Sequence, residues 1–378
     1  VAGIYIHIPY CKKACNYCNF HFSTSLQSKN SFLEAIKIEI ELQKHFFKKD
    51  DIIETLYFGG GTPSILTPSE IKYIIEEIAK YFDLSQLKEC TLEANPDDLD
   101  SNYLTGLKSS AINRLSIGIQ SFYDEDLKFM NRTHSSSNNI NTIQLAQDMG
   151  FENLTIDLIY GTPGLSNEAW LYNLSMIHKL ELKHFSSYNL TIEEGTALHY
   201  AVKTNKTPDV NQEQSAIQFE LLMQFASQNG FEHYEISNFA YEQHYALHNT
   251  NYWKGIAYLG LGPSAHSFDG FSRTNNIANN ALYIQSLVNH RELLHETEHL
   301  TSEQKVNEYL LTSLRTMWGC DMQHLSKLCS ANQLQEIKKS SQPFIKKDWL
   351  QVNQHFMKLT NSGKLYADYI ASELFLAT

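Results

Sequence analysis

The sequence predicts an α/β protein built on a parallel sheet, and three observations carry that reading. Six short β-branched and aromatic runs fall within roughly the first 190 residues, each followed by a stretch of helical periodicity. Their spacing matches the roughly 30-residue βαβ unit. Cysteine, glycine-rich or polar residues follow successive runs at the same end, where α/β sites assemble. An open doubly wound sheet and a partial barrel both satisfy this pattern.

The first strand is Gly3–His7, and an amphipathic stretch from about Leu26 to Phe47 follows it. Ile52–Phe58 is the second, after which Thr67-Pro68-Ser69-Glu70 opens a helix with a capping pattern. Glu89–Glu93, Arg114–Ile119, Asn153–Tyr160 and His184–Leu190 complete the six. Beyond about Asn205 the pattern changes. A helix over Gln212–Asn229 precedes short strands near His233–Ser237 and Ala265–Phe268, with a glycine-rich turn at Gly260-Leu261-Gly262-Pro263. From about Leu300 the chain reads as mostly helical, and Leu359–Tyr366 reads as a small β-hairpin before a last helix, a winged-helix-like tail. Three units are expected: residues 1–205, an α+β segment over 206–298, and a C-terminal domain over 299–378.

A chain of 378 residues suits two or three domains, and 42% hydrophobic residues with 19% charged ones can bury a large core. The net charge of −12 excludes a general nucleic-acid surface, which needs clustered Lys and Arg. No run approaches the roughly 18 apolar residues of a membrane span, and Val1-Ala2-Gly3-Ile4 opens without a secretory pattern. A cytoplasmic protein with no transmembrane segment is expected. Six cysteines are too few for a disulfide scaffold of this size.

Three of those cysteines, Cys11, Cys15 and Cys18, form Cys-x3-Cys-x2-Cys directly after the first strand. Thiolates in such a cluster are the usual ligands of cubane iron–sulfur centres, and three ligands leave one iron open to chelate a small amino acid. Zinc with His21 as fourth ligand is the alternative, but zinc knuckles come in pairs and no second knuckle exists. Cys90, Cys320 and Cys329 stand alone and read as small buried hydrophobes. Pro63, Pro96 and Pro163 are turn residues. Turn chemistry does not explain why Glu93, Gln120 and Asp157 recur at the same strand ends.

The Cys-x3-Cys-x2-Cys motif resembles the signature of the radical SAM superfamily, whose core is a partial (β/α)6 TIM-type barrel. In that superfamily the open iron binds S-adenosylmethionine (SAM), and the reduced [4Fe–4S] cluster cleaves it to a 5′-deoxyadenosyl radical. Gly59-Gly60-Gly61 then admits backbone groups to the methionine portion without a Cβ in the way. More closely, Tyr5-Ile6-His7-Ile8-Pro9-Tyr10-Cys11, Phe58-Gly59-Gly60-Gly61-Thr62-Pro63, Asn131-Arg132 and Asp157-Leu158-Ile159-Tyr160-Gly161 look like the oxygen-independent coproporphyrinogen III oxidase family, across nearly the whole chain. The oxidases carry a fourth cysteine where this chain has Phe20. The family's heme chaperone group, HemW, has phenylalanine there and a His-Asn-x-x-Tyr-Trp motif, here His248-Asn249-Thr250-Asn251-Tyr252-Trp253.

The resemblance implies SAM contacts at Tyr5, Gly60, Gly61, Thr62, Glu93, Gln120, Arg132 and Asp157. Tyr17 matches an aromatic contact to a second SAM, and Asn189 and His266 stand where the oxidases have apolar contacts. Imidazole is a common axial ligand of heme iron, so His248 is the candidate ligand, with Tyr252 and Trp253 as flat apolar walls. His244, His233 and His266 are rivals as ligand. A heme chaperone is therefore expected, with a [4Fe–4S] cluster, SAM and heme as cofactors, a heme-accepting protein as partner and an electron donor alongside. The alternative is the enzyme, an oxygen-independent coproporphyrinogen III dehydrogenase.

Overall fold

The computed structural model describes residues 1–377. Six parallel strands pair in chain order: β1 (Ala2–Ile8), β2 (Ile53–Gly60), β3 (Glu89–Ala94), β4 (Arg114–Gln120), β5 (Asn153–Tyr160) and β6 (His184–Asn189). Parallel strands covered on both faces ordinarily read as continuous apolar runs. Here apolar and polar residues alternate. Ile4, Ile6, Leu56, Phe58, Leu92, Leu115, Ile117 and Ile156 pack into the large core. Their neighbours Tyr57, Thr91, Glu93, Arg114, Ser116, Thr155, Asp157, His184 and Ser186 line an inner hollow. Outward side chains meet helices and inward ones meet solvent-sized space, which is the geometry of a curled, partly closed barrel.

The connecting helices follow their caps. Thr67 accepts from the Glu70 N–H while the Glu70 carboxylate accepts from the Thr67 N–H, and Pro68 opens the helix Pro68–Ala79 behind them. The first helix runs Lys29–Leu42, shorter at both ends than its amphipathic stretch. Its Glu39 is fully buried, accepting from the Gly262 N–H at 2.7 Å, Asn276 Nδ2 at 2.5 Å and the Tyr283 hydroxyl. Burial raises the Glu39 pKa to about 7.

Residues 206–298 extend this sheet at both edges. On the β6 side, β7 (Glu232–Glu235) and β8 (Asn238–Ala240) add antiparallel. On the β1 side, β9 (Tyr258–Leu261) pairs parallel, followed by antiparallel β10 (His266–Phe268), β11 (Ser272–Asn276) and β12 (His295–His299). The result is an open sheet of twelve strands, and Phe219, Phe239, Leu261 and Leu287 belong to the same core as β1–β6. The C-terminal domain has its own core around Leu310, Leu325, Ile337, Phe344 and Met357. There the helices Ser302–Leu314, Met322–Leu328 and Ala331–Lys346 accompany a three-stranded sheet of β13 (Cys320–Asp321), β15 (Phe356–Leu359) and β14 (Leu350–Val352). This is a winged-helix arrangement.

The hairpin expected at Leu359–Tyr366 lies earlier in the chain, between β14 and β15. Asn353 Oδ1 makes its turn by accepting from the His355 and Phe356 N–H groups. Thr360 instead caps a short helix, Asn361–Lys364, its hydroxyl accepting from the Gly363 N–H at 3.0 Å. A threonine cap three residues ahead of a free N–H outcompetes the turn that Asn-Ser-Gly suggests. Among the described residues no helix is long and apolar enough to cross a membrane.

Candidate functional site

The chain leaving β1 builds the thiol loop. Cys11 N donates to Ser23 O at 3.0 Å and Ser23 N to Pro9 O at 2.9 Å, closing the base of the loop. Asn131 Nδ2 donates to Ala14 O at 2.8 Å, Asn16 Nδ2 donates to Phe129 O, and Leu198 N donates to Asn16 O at 2.8 Å. With its backbone held on three sides, the loop presents Cys11, Cys15 and Cys18 to a cavity of about 1110 Å3 at the C-terminal end of the barrel strands. All three thiols are free.

Arg132 is the buried cation beside them. Its Nη1 donates to Cys15 Sγ at 3.2 Å, and its Nη2 donates to Asn95 Oδ1 at 2.7 Å and Gly118 O at 2.9 Å. Thr62 Oγ1 donates to Cys11 Sγ at 3.4 Å. Burial pushes the Cys11 thiol up to about 11, so a metal's charge is needed to deprotonate it at neutral pH. The glycine segment runs along this loop, Gly61 N donating to Ile8 O at 2.9 Å and Thr62 N to Tyr10 O at 2.7 Å. Gly60 has φ +107°, and a Cβ there would meet the His7 ring at 2.7 Å. Only glycine fits.

Glu93 accepts from the Tyr57 hydroxyl at 2.7 Å, and burial, then the neighbouring Asp157, raises its pKa to about 7. Burial likewise raises Asp157 to about 6, against the hydroxyls of Ser186 and Ser116. Gln120 holds φ +67° where the β4–β5 register slips, a left-handed conformation that non-glycine residues keep mainly at functional sites. Asn189 Oδ1 and Ser215 Oγ are buried on the cavity wall without a hydrogen-bond partner among the described residues. The two atoms themselves are sealed from solvent, in the wall behind the cavity surface near Gly161.

These residues fit a cluster and SAM. Among the described residues no group of three His, Cys, Asp or Glu side chains closes around one point as a single ion requires. A cubane takes its thiolates on separate irons. His21, the fourth ligand of the zinc alternative, pairs its Nε2 with Asn280 Oδ1 at 2.7 Å and does not line the cavity with the three thiols.

Of the expected contacts, Tyr17, Gly60, Gly61, Thr62, Glu93, Gln120, Arg132, Asp157 and Asn189 line the cavity with the three cysteines. Tyr5 does not. It lies one layer deeper, its hydroxyl 3.3 Å from His7 Nδ1 and its ring stacked on Tyr57. His266 is exposed on β10 and is not among the lining residues.

His248, Tyr252 and Trp253 lie elsewhere. The helix Leu247–Trp253 packs at the opposite, N-terminal end of β1–β3, where Glu89 accepts from the Leu247 N–H at 2.8 Å and the His248 N–H at 2.9 Å. The His248 ring is 1% exposed and stacks under Tyr57 at 5.1 Å. Its Nδ1 is 2.8 Å from Thr55 Oγ1 and its Nε2 2.8 Å from the Tyr252 hydroxyl. Burial holds its pKa down to about 3. In this arrangement both His248 ring nitrogens are engaged and neither faces open space. Trp253 instead carries the Arg315 guanidinium over its ring at 5.4 Å.

Residues 5–176 match the sequence model of the Radical SAM superfamily. The chain is 32% identical to the heme chaperone HemW of Bacillus subtilis over 317 residues, 83% of each protein. The chain belongs to the HemW family of the radical SAM superfamily. The HemW heme chaperone of Mycobacterium tuberculosis is 29% identical over 377 residues, covering 98% of this chain and 94% of that protein. Among solved structures, the coproporphyrinogen III oxidase HemN of Escherichia coli superposes with a TM-score of 0.85, over 99% of this chain and 90% of that one. At 23% identity that likeness concerns the fold.

In this HemW-family chain, several cavity residues escaped the sequence reading. Asn95, which orients Arg132, was visible only as part of an Asn-Pro strand exit. Arg315, Lys364 and Tyr366 reach the cavity from the C-terminal domain, and no local pattern marks them.

Proposed function

We propose that this protein is a heme chaperone of radical SAM type, binding heme and passing it to an acceptor protein. The observation that carries the reading is kinship over 83% of the chain with a protein of that name. Phe20 agrees with it: an apolar ring, 67% exposed on the cavity wall, occupies the place of the oxidases' fourth cysteine.

In this reading Cys11, Cys15 and Cys18 hold a [4Fe–4S] cluster. Gly60, Gly61, Thr62, Glu93, Gln120, Arg132, Asp157 and Asn189 contact SAM, with Tyr17 as an aromatic wall. Cluster and SAM, when bound, supply one-electron chemistry. The chain's own part is to bind and orient. Arg132 offsets negative charge on the thiolates, and Glu93 and Asp157 accept hydrogen bonds from ribose hydroxyls or the ammonium group. Heme ligation by His248, with Tyr252 and Trp253 as flat faces, requires the helix Leu247–Trp253 to withdraw from the barrel. A cytoplasmic location suits the free thiols, and the partners are a heme-accepting protein and an electron donor.

The test is anaerobic. Reconstituted protein should bind about one heme per chain, and coproporphyrinogen III should persist with reduced cluster and excess SAM. Robust conversion to protoporphyrinogen IX, with heme held no tighter than by an unrelated acidic protein, would assign the oxidase instead.

A further inference from the structure

Part of the cavity wall comes from the C-terminal domain, and it carries two cations of different status. Arg315 is matched, its Nε 3.1 Å from Glu235 Oε1 and its Nη1 2.7 Å from Asp368 Oδ1. Lys364 has no carboxylate within ion-pair reach among the described residues, and its one polar partner is His233 Nδ1 at 3.0 Å. Two of its three N–H donors are left for the cavity.

The imidazole aims that ammonium. His233 Nε2 is 3.0 Å from Ile236 O, so the proton sits on Nε2 and Nδ1 presents a lone pair to Lys364. The ring is clamped by stacking on Phe239 at 4.2 Å and by the edge of Phe219 at 5.9 Å. Burial keeps it neutral, with a pKa near 3. Desolvation lowers Lys364 to about 8, the mark of a cation whose counter-charge is missing. Flat apolar surface is available in the same cavity, where Phe219, Tyr188, Phe22 and Tyr366 are lining residues and Tyr366 is braced on Trp349 at 4.1 Å. At about 1110 Å3 the space exceeds the roughly 300–1,000 Å3 of a single small-molecule pocket. It has room for a second ligand beside SAM.

We infer that Lys364 is a carboxylate-binding residue for a planar, propionate-bearing tetrapyrrole seated in the barrel cavity beneath the C-terminal domain. This rests on the heme-chaperone reading and offers heme a seat that leaves the helix Leu247–Trp253 in place, in contrast to ligation by His248. The carboxylate takes the two free donors of Lys364, the macrocycle lies on the aromatic wall, and His233 is the positioning residue.

The experiment titrates cluster-loaded, SAM-bound protein anaerobically with hemin and with hemin dimethyl ester, whose carboxylates are blocked. Wild type should bind hemin about tenfold tighter than the ester, the scale of one charge-assisted hydrogen bond. Lys364→Gln should bring hemin down to the ester's level and leave the ester where it was, while Lys364→Arg should recover most of the difference. Equal affinity of wild type for the two ligands overturns the inference and leaves the heme reading standing. That comparison needs no variant, so a misfolded Lys364→Gln does not blunt it. Absence of heme binding by wild type overturns both.

Discussion

The two ends of the barrel hold the same kinds of side chain and treat them oppositely. At the N-terminal end, His248 engages Thr55 and Tyr252, and Glu89 accepts from two backbone N–H groups. The rings and carboxylate of this network close on one another and act as a plug, while Trp253 Nε1 and Thr250 Oγ1 on the same helix keep no partner among the described residues. At the C-terminal end, Asn189 Oδ1 and Ser215 Oγ lack partners, Gln120 is strained, and three thiols stand free. A buried polar group costs free energy until it is paired. Orphaned atoms occur at both ends; what separates them is that His248 and Glu89 are engaged within the chain and the three thiols are not. Residue type alone does not separate a ligand site from a structural one.

The comparison breaks or sharpens under four changes. The largest effect is expected from Cys15→Ala. Wild type should take up about four iron on anaerobic reconstitution and the variant should lose most of them, since one iron is left without its thiolate. Full iron in the variant, or stoichiometric zinc in wild type, would remove the thiol loop from the mouth's function. Gly60→Val should lower SAM affinity at least about tenfold by calorimetry, because a β-branched residue tolerates neither positive φ nor the His7 ring at 2.7 Å.

His248→Phe belongs to the plug, and its expected cost is stability. Urea unfolding should show a loss of about 2 kcal/mol from the unpaired Thr55 and Tyr252 hydroxyls, with SAM affinity retained. A changed heme absorbance band in this variant would mean that the plug opens to ligate iron, and the contrast between the ends would fail. Glu39→Gln is read in the slope of stability against pH. The folded pKa of Glu39, about 7, lies above its ordinary value of 4.5, so folding favours the protonated form. That contribution is complete below pH 4.5 and is lost as pH rises through 7. Wild type should therefore lose up to about 1.4 kcal/mol per pH unit to this group across the window, and the variant should show a shallower decline. Identical pH profiles would show that its three hydrogen bonds offset the burial.

The six barrel strands were legible because their inward and outward faces differ chemically, which stamps a period of two on the sequence. The thiol loop, the glycine segment and the strand-exit residues were legible for a related reason: their spacing is local. The edge extension was legible in part: the strands near His233–Ser237 and Ala265–Phe268 show in the sequence, but Asn238–Ala240 is too short to carry a period and Ser272–Asn276 and His295–His299 are polar throughout. The His-Asn-x-x-Tyr-Trp run marked the family, but the place of its side chains was not legible, because histidine, tyrosine and tryptophan suit a buried hydrogen-bonded stack as well as a porphyrin. Lys364 was invisible because its meaning depends on His233, 131 positions earlier.

The wall bearing Arg315, Lys364 and Tyr366 is synthesised after the barrel it covers. At roughly 5–20 residues per second, the 175 residues between the end of β6 at Asn189 and Lys364 take on the order of ten seconds. The base of the thiol loop needs only the Pro9, Cys11 and Ser23 backbone bonds, close together at the start of the chain, whereas part of the chamber above it is supplied by the last domain. A chain that stops before Arg315 therefore keeps the cysteine triad and lacks that part of the wall.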